Sequence, residues 1–192
     1  MARNIRFPMT AEEARDLAVG DEVLVSGRLV TGRAAAHRHL AGCDDPELRP
    51  LLQGSLLYHC GPVVTRDPAS GAWRFVAAGP TASMRAEPWE AEVIARYGLR
   101  GVMGKGGMGP RTLEALASCG AVYLHATGGL AVVLAKCVVE VLGVHRLPEL
   151  GIPEALWQVE VRDFPAVVTM DAHRRSLHET AGTENLAKQL MG

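Results

Sequence analysis

Four segments of this chain carry glycine where an apolar run gives way to a helix-forming stretch, and that recurring junction most constrains its fold. The junctions are Thr31-Gly32-Arg33, Gly79-Pro80-Thr81-Ala82-Ser83-Met84-Arg85, Gly104-Lys105-Gly106-Gly107-Met108-Gly109 and Thr127-Gly128-Gly129. Glycine and proline fall between the apolar runs and not inside them, as punctuation between elements does. Hairpin-like β segments come early, and strand alternates with helix in the middle. That order predicts a mixed α/β domain with helices on a partly parallel sheet.

The elements follow from local chemistry. Thr10-Ala11-Glu12-Glu13 has capping-box spacing for a short helix. Gly20-Asp21 turns into a β-branched strand at 22–30, and alanine-rich 33–41 reads as a helix. Residues 55–64 read as one strand. Arg66-Asp67-Pro68-Ala69-Ser70-Gly71 is a hairpin turn, with Trp73–Ala77 returning. A helix at about 88–97 opens on Pro88. Then come a strand at 99–103, a helix at 111–118 and a strand at 122–124. The run 130–141 reads as a long apolar helix. Strands at 157–161 and 166–170 are joined across Asp163-Phe164-Pro165, and the tail after Ser176 is polar.

Composition enters as exclusion. With 192 residues the chain suits one domain, assigned to 1–192 with a tail at about 179–192. Lys+Arg is 20 and Asp+Glu 21, a net charge of -1, which argues against nucleic-acid or membrane-surface binding by bulk charge. No apolar run reaches the ~20 residues of a membrane span, and the first residues lack a signal-peptide core. Cys43, Cys60, Cys119 and Cys137 form no CxxC pair and read as reduced thiols of a cytoplasmic protein. Cys43 and Cys137 are placed in helices. His39, His59, His125, His145, His173 and His178 make no i,i+4 pair or HxH set among themselves, so no metal site within the chain is expected.

In α/β sheets ligands bind at the carboxyl ends of strands, where helix N-termini present free N–H groups. Three of the four junctions there carry a cation: Arg33, Arg85 and Lys105. Together they describe a pocket for a small anion with two negative ends. Residues 104–109 also satisfy plain turn geometry. They are not a Walker A loop, since no Ser or Thr follows Lys105 in register, and they lack the acidic ribose partner of a dinucleotide fold. Arg85 has a competing reading as a partner of Glu87 or Glu90 on a solvated face. His37, one turn after Arg33, either orients Arg33 or a substrate carboxylate, or is a half-buried packing residue.

Further segments complete the pattern: Gly20-Asp21-Glu22-Val23, Ala34-Ala35-Ala36-His37, Glu149-Leu150-Gly151-Ile152-Pro153-Glu154-Ala155 and Asp163-Phe164-Pro165 before Asp171. In this order the motifs resemble the β subunit of class I fumarase and L(+)-tartrate dehydratase, equivalent to the C-terminal domain of the single-chain enzymes. The resemblance spans about residues 15–178. It implies an α/β fold of the swivelling β/β/α kind, with a mixed sheet and flanking helices. It also implies a hydro-lyase acting on a four-carbon dicarboxylate. A partner α subunit, in an α2β2 assembly, would hold a [4Fe-4S] cluster through three cysteines; this chain would bind no metal. Arg33, Arg85 and Lys105 would hold the substrate carboxylates. Thr81 matches the threonine proposed to take the proton from carbon, and Lys105 shares the catalytic assignment. Gly79, Gly106 and Gly107 would shape the backbone, with His37 and Ser83 behind. A threonine is a poor base without a partner for its own proton. Many members carry a second threonine where this chain has Ala82, a loss that Ser83 could offset. Fumarate is preferred to tartrate because Gly128-Gly129 precedes an Ala/Val helix, as in the fumarase members. The competing readings are tartrate dehydratase, a non-catalytic dicarboxylate-binding module, and a nucleotide-binding α/β domain.

Overall fold

Alternate residues of the central strands divide between two apolar layers, which is what period-two side-chain direction produces in a sheet buried on both faces. The computed structural model describes residues 1–180. In chain order the elements are β1 (Arg3–Phe7), α1 (Ala11–Arg15), β2 (Glu22–Thr31), α2 (Ala34–Gly42), α3 (Arg49–Leu52), β3 (Leu56–Tyr58), β4 (Val63–Arg66) and β5 (Trp73–Ala77). After a 3-10 turn (Ser83–Arg85) come α4 (Glu87–Tyr97), β6 (Gly101–Gly104), α5 (Pro110–Cys119), β7 (Val122–His125) and α6 (Ala131–Ala135). The last are β8 (Val138–His145), α7 (Leu147–Leu150), β9 (Leu156–Met170) and α8 (Leu177–Thr180). The main sheet has seven strands in the order β1-β2-β3-β6-β7-β9-β8, and β9 also pairs with β2. Strands β2, β3, β6, β7 and β9 therefore close on themselves like a barrel. The neighbours from β1 to β7 run parallel, and β9 is antiparallel to β2, β7 and β8.

Leu29, Leu56, Tyr58, Met103, Val122 and Leu124 point into one core, with Trp157, Val159, Val161 and Phe164 of β9. The intervening Val30, Leu57, Val102 and Tyr123 point out beneath the helices, against Leu40, Val93, Ile94, Tyr97 and Leu116. The β4–β5 hairpin lies against the first core, where Trp73 and Phe75 meet Trp157 edge to face at 5.2 and 5.9 Å.

The capping box forms as read: the Thr10 hydroxyl receives the Glu13 N–H, and the Glu13 carboxylate receives the Thr10 N–H at 2.7 Å. The strands at the early hairpin and the helices α2, α4 and α5 also lie where the residues place them. Four expectations are corrected. Residues 55–64 are not one strand: Cys60-Gly61-Pro62 separates β3 from β4, which belong to different sheets. Pro62 has no N–H for a ladder, and the chain leaves the barrel there. Residues 130–141 are not one helix. Helix α6 is five residues long, and β8 begins at Val138. A continuous apolar run does not distinguish buried helix from strand, and the valines of β8 suit a strand paired to β9. Cys137 sits between these two elements and Cys43 at the C-cap of α2, so neither is inside a helix. Residues 157–161 and 166–170 are one strand, not two. β9 passes through Asp163 at φ 51°, and its register against β2 shifts between Val25 and Gly27. The strand β1 and the short helices α3 and α7 were not anticipated. The tail assigned to 179–192 lies largely outside the described residues.

Candidate active site

The parallel strands bring the glycine junctions to one end of the sheet, and backbone hydrogen bonds lace those ends together. Gly32 N–H donates to Tyr58 O at 2.9 Å, His59 N–H to Met103 O at 2.7 Å, and Ala126 N–H to Gly104 O at 2.8 Å. The 79–85 loop inserts between β3 and β6: Thr81 N–H donates to His59 O at 2.8 Å, and Ser83 N–H to Lys105 O at 3.0 Å. Pro80 bridges to Cys60 and Ala82 to Lys105.

A small cleft opens there, lined by Arg33, Ala34, His37, His59, Thr81, Ala82, Arg85 and Ala86. It unites Arg33, His37, Thr81 and Arg85 from the sequence reading. Arg33 is the N-cap of α2 in extended conformation, with no side-chain cap of its own. Glu154 supplies the cap from across the sheet: its Oε2 receives the Ala35 N–H at 2.9 Å, and its Oε1 lies 3.4 Å from Arg33 Nη1. Gly61 makes room for Arg33, since a Cβ there would stand 2.7 Å from Arg33 Cδ and 2.8 Å from Pro153 O. Arg85 pairs with neither carboxylate considered for it. Glu87 instead caps α5, accepting from Gly109 N–H at 2.8 Å and Thr112 Oγ1–H at 2.6 Å, and Glu90 is buried. Among the described residues Arg85 is exposed and has no ion pair or side-chain hydrogen bond.

Lys105 stands beside this cleft and not in its lining. Its backbone is held against Ala82, and its exposed side chain runs past Gly128, where a Cβ would lie 3.9 Å from Nζ. Gly106 and Gly107 take φ of 82° and 75°, left-handed values that only glycine adopts freely. Gly79 closes on Ala131, 3.0 Å from where its Cβ would be. Ser83 does not offset the missing hydroxyl at Ala82. It is buried, and its Oγ is shared between His59 Nδ1 at 2.9 Å and Tyr123 OH at 2.8 Å.

The Thr81 hydroxyl donates to His59 O at 3.0 Å. A carbonyl accepts a hydrogen bond but cannot take the proton, so among the described residues the Thr81 hydroxyl meets no base.

Beneath the cleft lies a cluster absent from the sequence reading. His37, His59 and Glu90, from three different elements, are 0%, 2% and 0% exposed. Glu90 Oε2 is 2.8 Å from His59 Nε2 and 2.9 Å from His37 Nε2, the latter off the line of a straight hydrogen bond. The rings meet edge to face at 4.8 Å. Burial opposes charge on Glu90, but the two imidazoles outweigh it and hold the carboxyl at about 2. Burial also pushes His37 down; Glu90, the Arg33 carbonyl and Glu154 outweigh it, and His37 ends above the usual histidine range. For His59 burial prevails and the group ends below that range. One signal for this cluster was present in the sequence. Glu90, Val93, Ile94 and Tyr97 share the buried stripe of α4, so a carboxylate stands where the helix presents its apolar face.

The four cysteines are free and sit in four separate places, and burial pushes Cys60 up to about 12. Among the described residues the one group with mutually close ligand atoms is His37, His59 and Glu90, which contains no thiol. This chain's cysteines do not converge as ligands of an iron-sulfur cluster.

Residues 2–181 match the family model described as "Fumarase C-terminus". The chain belongs to this family. A relative from Geobacillus stearothermophilus, provisionally named fumarate hydratase class I, is 48% identical over 184 residues, covering 96% of this chain and 35% of that protein. The chain thus spans about a third of that relative. The L(+)-tartrate dehydratase subunit beta of Escherichia coli K12 is 39% identical over 178 residues, 92% of this chain and 87% of the subunit. A protein of Methanocaldococcus jannaschii provisionally given the same name is 38% identical, covering 89% and 88%. Among the described residues no helix is long and apolar enough to cross a membrane.

Proposed function

We propose that this chain is the dicarboxylate-binding half of a hydro-lyase that interconverts fumarate and malate. The observation that carries the reading is one cleft in which Arg33 and Arg85 flank Thr81, with Arg85 left unpaired among the described residues. Arginine presents a planar fork that matches a carboxylate, so two such groups suit the two ends of a four-carbon diacid. Lys105, one backbone pairing away from Ala82, extends from the rim as a point charge toward one end. Cations preorganised around a carboxylate stabilise the charge that develops when a proton leaves the adjacent carbon. Thr81 accepts a hydrogen bond from the hydroxyl of malate and orients it, while fumarate, which carries no donor, is held by the cations; the base comes from the partner. Gly79, Gly106 and Gly107 shape the surrounding loops.

The other half of the site is an α partner, assembled as α2β2, against which this β/β/α domain swivels. A [4Fe-4S] cluster on that partner supplies Lewis acidity toward the substrate hydroxyl. A surface for the partner is at hand: Val132, Val133, Val139 and Leu142 are all more than 40% exposed on α6 and β8.

Fumarate is preferred on the 48% identity to the class I relative against 39% to the tartrate subunit. Gly128-Gly129 is followed by a short Ala/Val helix, α6, which adds a weaker support for fumarate. Tartrate is the second reading, favoured by the two relatives named for that substrate and by a cleft that has Ala82 where a hydroxyl is common. The test is to co-express the chain with a cysteine-bearing α partner, reconstitute with iron and sulfide, and profile fumarate, L-malate, L(+)-tartrate and mesaconate. Fumarate–malate turnover by the complex and none by the lone chain is the expected result. Binding of malate without turnover would replace the enzyme with a binding module. Arg85→Ala should lower kcat/KM at least about tenfold with the fold intact, and a loss under about threefold would remove Arg85 from the site.

A further inference from the structure

We propose that Glu90 is a positioning residue that holds His37 as a cation beneath the cleft and ties the carboxylate-binding loops into one buried frame of hydrogen bonds closed by an ion pair. The proposal rests on the reading of the cleft as a dicarboxylate site and adds the charge that its buried floor contributes.

The frame can be followed contact by contact, through hydrogen bonds as far as Glu90 and an ion pair from Glu90 to His37. The Gly107 N–H reaches the Tyr123 hydroxyl. Tyr123 OH is 2.8 Å from Ser83 Oγ, and Ser83 Oγ is 2.9 Å from His59 Nδ1. His59 Nε2 is 2.8 Å from Glu90 Oε2, which is 2.9 Å from His37 Nε2. His37 Nδ1 ends the chain 2.7 Å from Arg33 O. The loops bearing Lys105, Arg85 and Arg33 are therefore joined through their undersides, and His59 O holds Thr81 from the same side.

Proton placement follows from the partners. A carboxylate oxygen and a backbone carbonyl only accept, so His37, which faces one with each nitrogen, needs a hydrogen on both. His59 faces the carboxylate with Nε2 and a hydroxyl with Nδ1. It is satisfied as a neutral ring that donates to Glu90 and accepts from Ser83, which accepts in turn from Tyr123. Glu90 and His37 are the charged pair. The groups facing His37 are Glu90 from α4, His59 from the end of β3, Glu154 ahead of β9, Arg85 across the cleft, and Arg33 on its own helix. The anions among them keep His37 charged beside two arginines. His59 Nε2 hydrogen-bonds Glu90 Oε2 at 2.8 Å and His37 Nε2 stands 2.9 Å from the same oxygen as an ion pair; zinc would need each donor at about 2.0–2.2 Å from the ion.

The experiment needs two readouts. On the full chain labelled with ¹⁵N-histidine, imidazole nitrogen shifts are followed against pH. His37 should keep both ring hydrogens to a higher pH than free histidine, and His59 should be neutral. Glu90→Gln should move the His37 titration down. A wild-type His37 that loses its proton at or below the free-histidine midpoint would overturn the proposal. So would one equivalent of zinc co-purifying with the chain. In the assembled enzyme, Glu90→Gln should raise KM for the dicarboxylate about tenfold with a smaller change in kcat. KM climbs as pH rises past the point where His37 loses its charge, so that climb should shift to lower pH in the variant. A loss that does not vary with pH would make Glu90 merely structural and refute the positioning role. The nitrogen shifts use no substrate, so they stand apart from any failure of the fumarate assay.

Discussion

Gly104→Ala tests the buried frame through stability alone. A Cβ on Gly104 would stand 2.1 Å from Ser83 Oγ and 3.1 Å from both Cβ and Nδ1 of His59. Non-bonded carbon contacts settle near 3.5 Å or more, roughly, so Ser83 has to leave its place. It is 1% exposed and hemmed between His59 and Tyr123, and moving it breaks both hydrogen bonds. Overpacking of this kind costs about 1–3 kcal/mol. Leaving His59 Nδ1 and the Tyr123 hydroxyl unpaired costs about 1–3 kcal/mol each. The total is on the order of 3–9 kcal/mol, against a domain stability of roughly 5–15 kcal/mol. Urea denaturation of the full chain measures it. Ser83→Ala removes the oxygen without the clash and should cost only the unpairing. In the double variant the two penalties should overlap, with a coupling of at least about 1 kcal/mol. A Gly104→Ala loss below about 1 kcal/mol, or strict additivity with Ser83→Ala, would refute the frame as described.

Two further predictions address the scaffold. Thr10→Ala removes one side of the capping box and should destabilise by about 1 kcal/mol in the same denaturation assay. Asp45, 4% exposed, accepts from Arg146 Nε at 3.0 Å and Nη2 at 2.5 Å, with His39 Nε2 at 3.1 Å. Burial works to raise its pKa, but bonding to Arg146 and His39 prevails and holds it below the usual aspartate value. Because the folded-state pKa is the lower one, the stabilisation is complete above the unfolded value of about 3.9 and is lost as pH falls through the folded one. Asp45→Asn should therefore cost about 1–3 kcal/mol at neutral pH, with the gap to wild type closing on acidification below about pH 4. A gap that stays constant down to pH 2 would contradict it.

What could be read ahead of the structure was whatever depended on neighbours along the chain. The capping box, the hairpin turn and the glycine junctions are local; Arg33 and Arg85 meet in one cleft with Lys105 at its rim, because β2 and β6 run parallel and the 79–85 loop inserts beside them. Long-range pairing decided the rest. The apolar stretch after Gly129 has no periodicity that separates helix from strand, and β8 exists because β9 is there to receive it. His59 and Glu90 lie 31 positions apart, and neither has a local partner to announce it. Glu90 alone left a trace, as a charge on the apolar stripe of α4.

Strand β9 also bears on how the molecule is made. It is the last strand of the described chain, yet it pairs with β2, β7 and β8, and it contributes Trp157, Val159, Val161 and Phe164 to the inner core. Closure against β2 joins residues as far apart as Glu22 and Val167. Contacts of such sequence separation form slowly, because loop closure must precede them. The first 155 residues can assemble helices and parallel strands during synthesis, but the seam stays open until β9 leaves the ribosome. Glu154, which caps α2 and pairs with Arg33, sits immediately before β9, so its final placement waits on the closure of that strand.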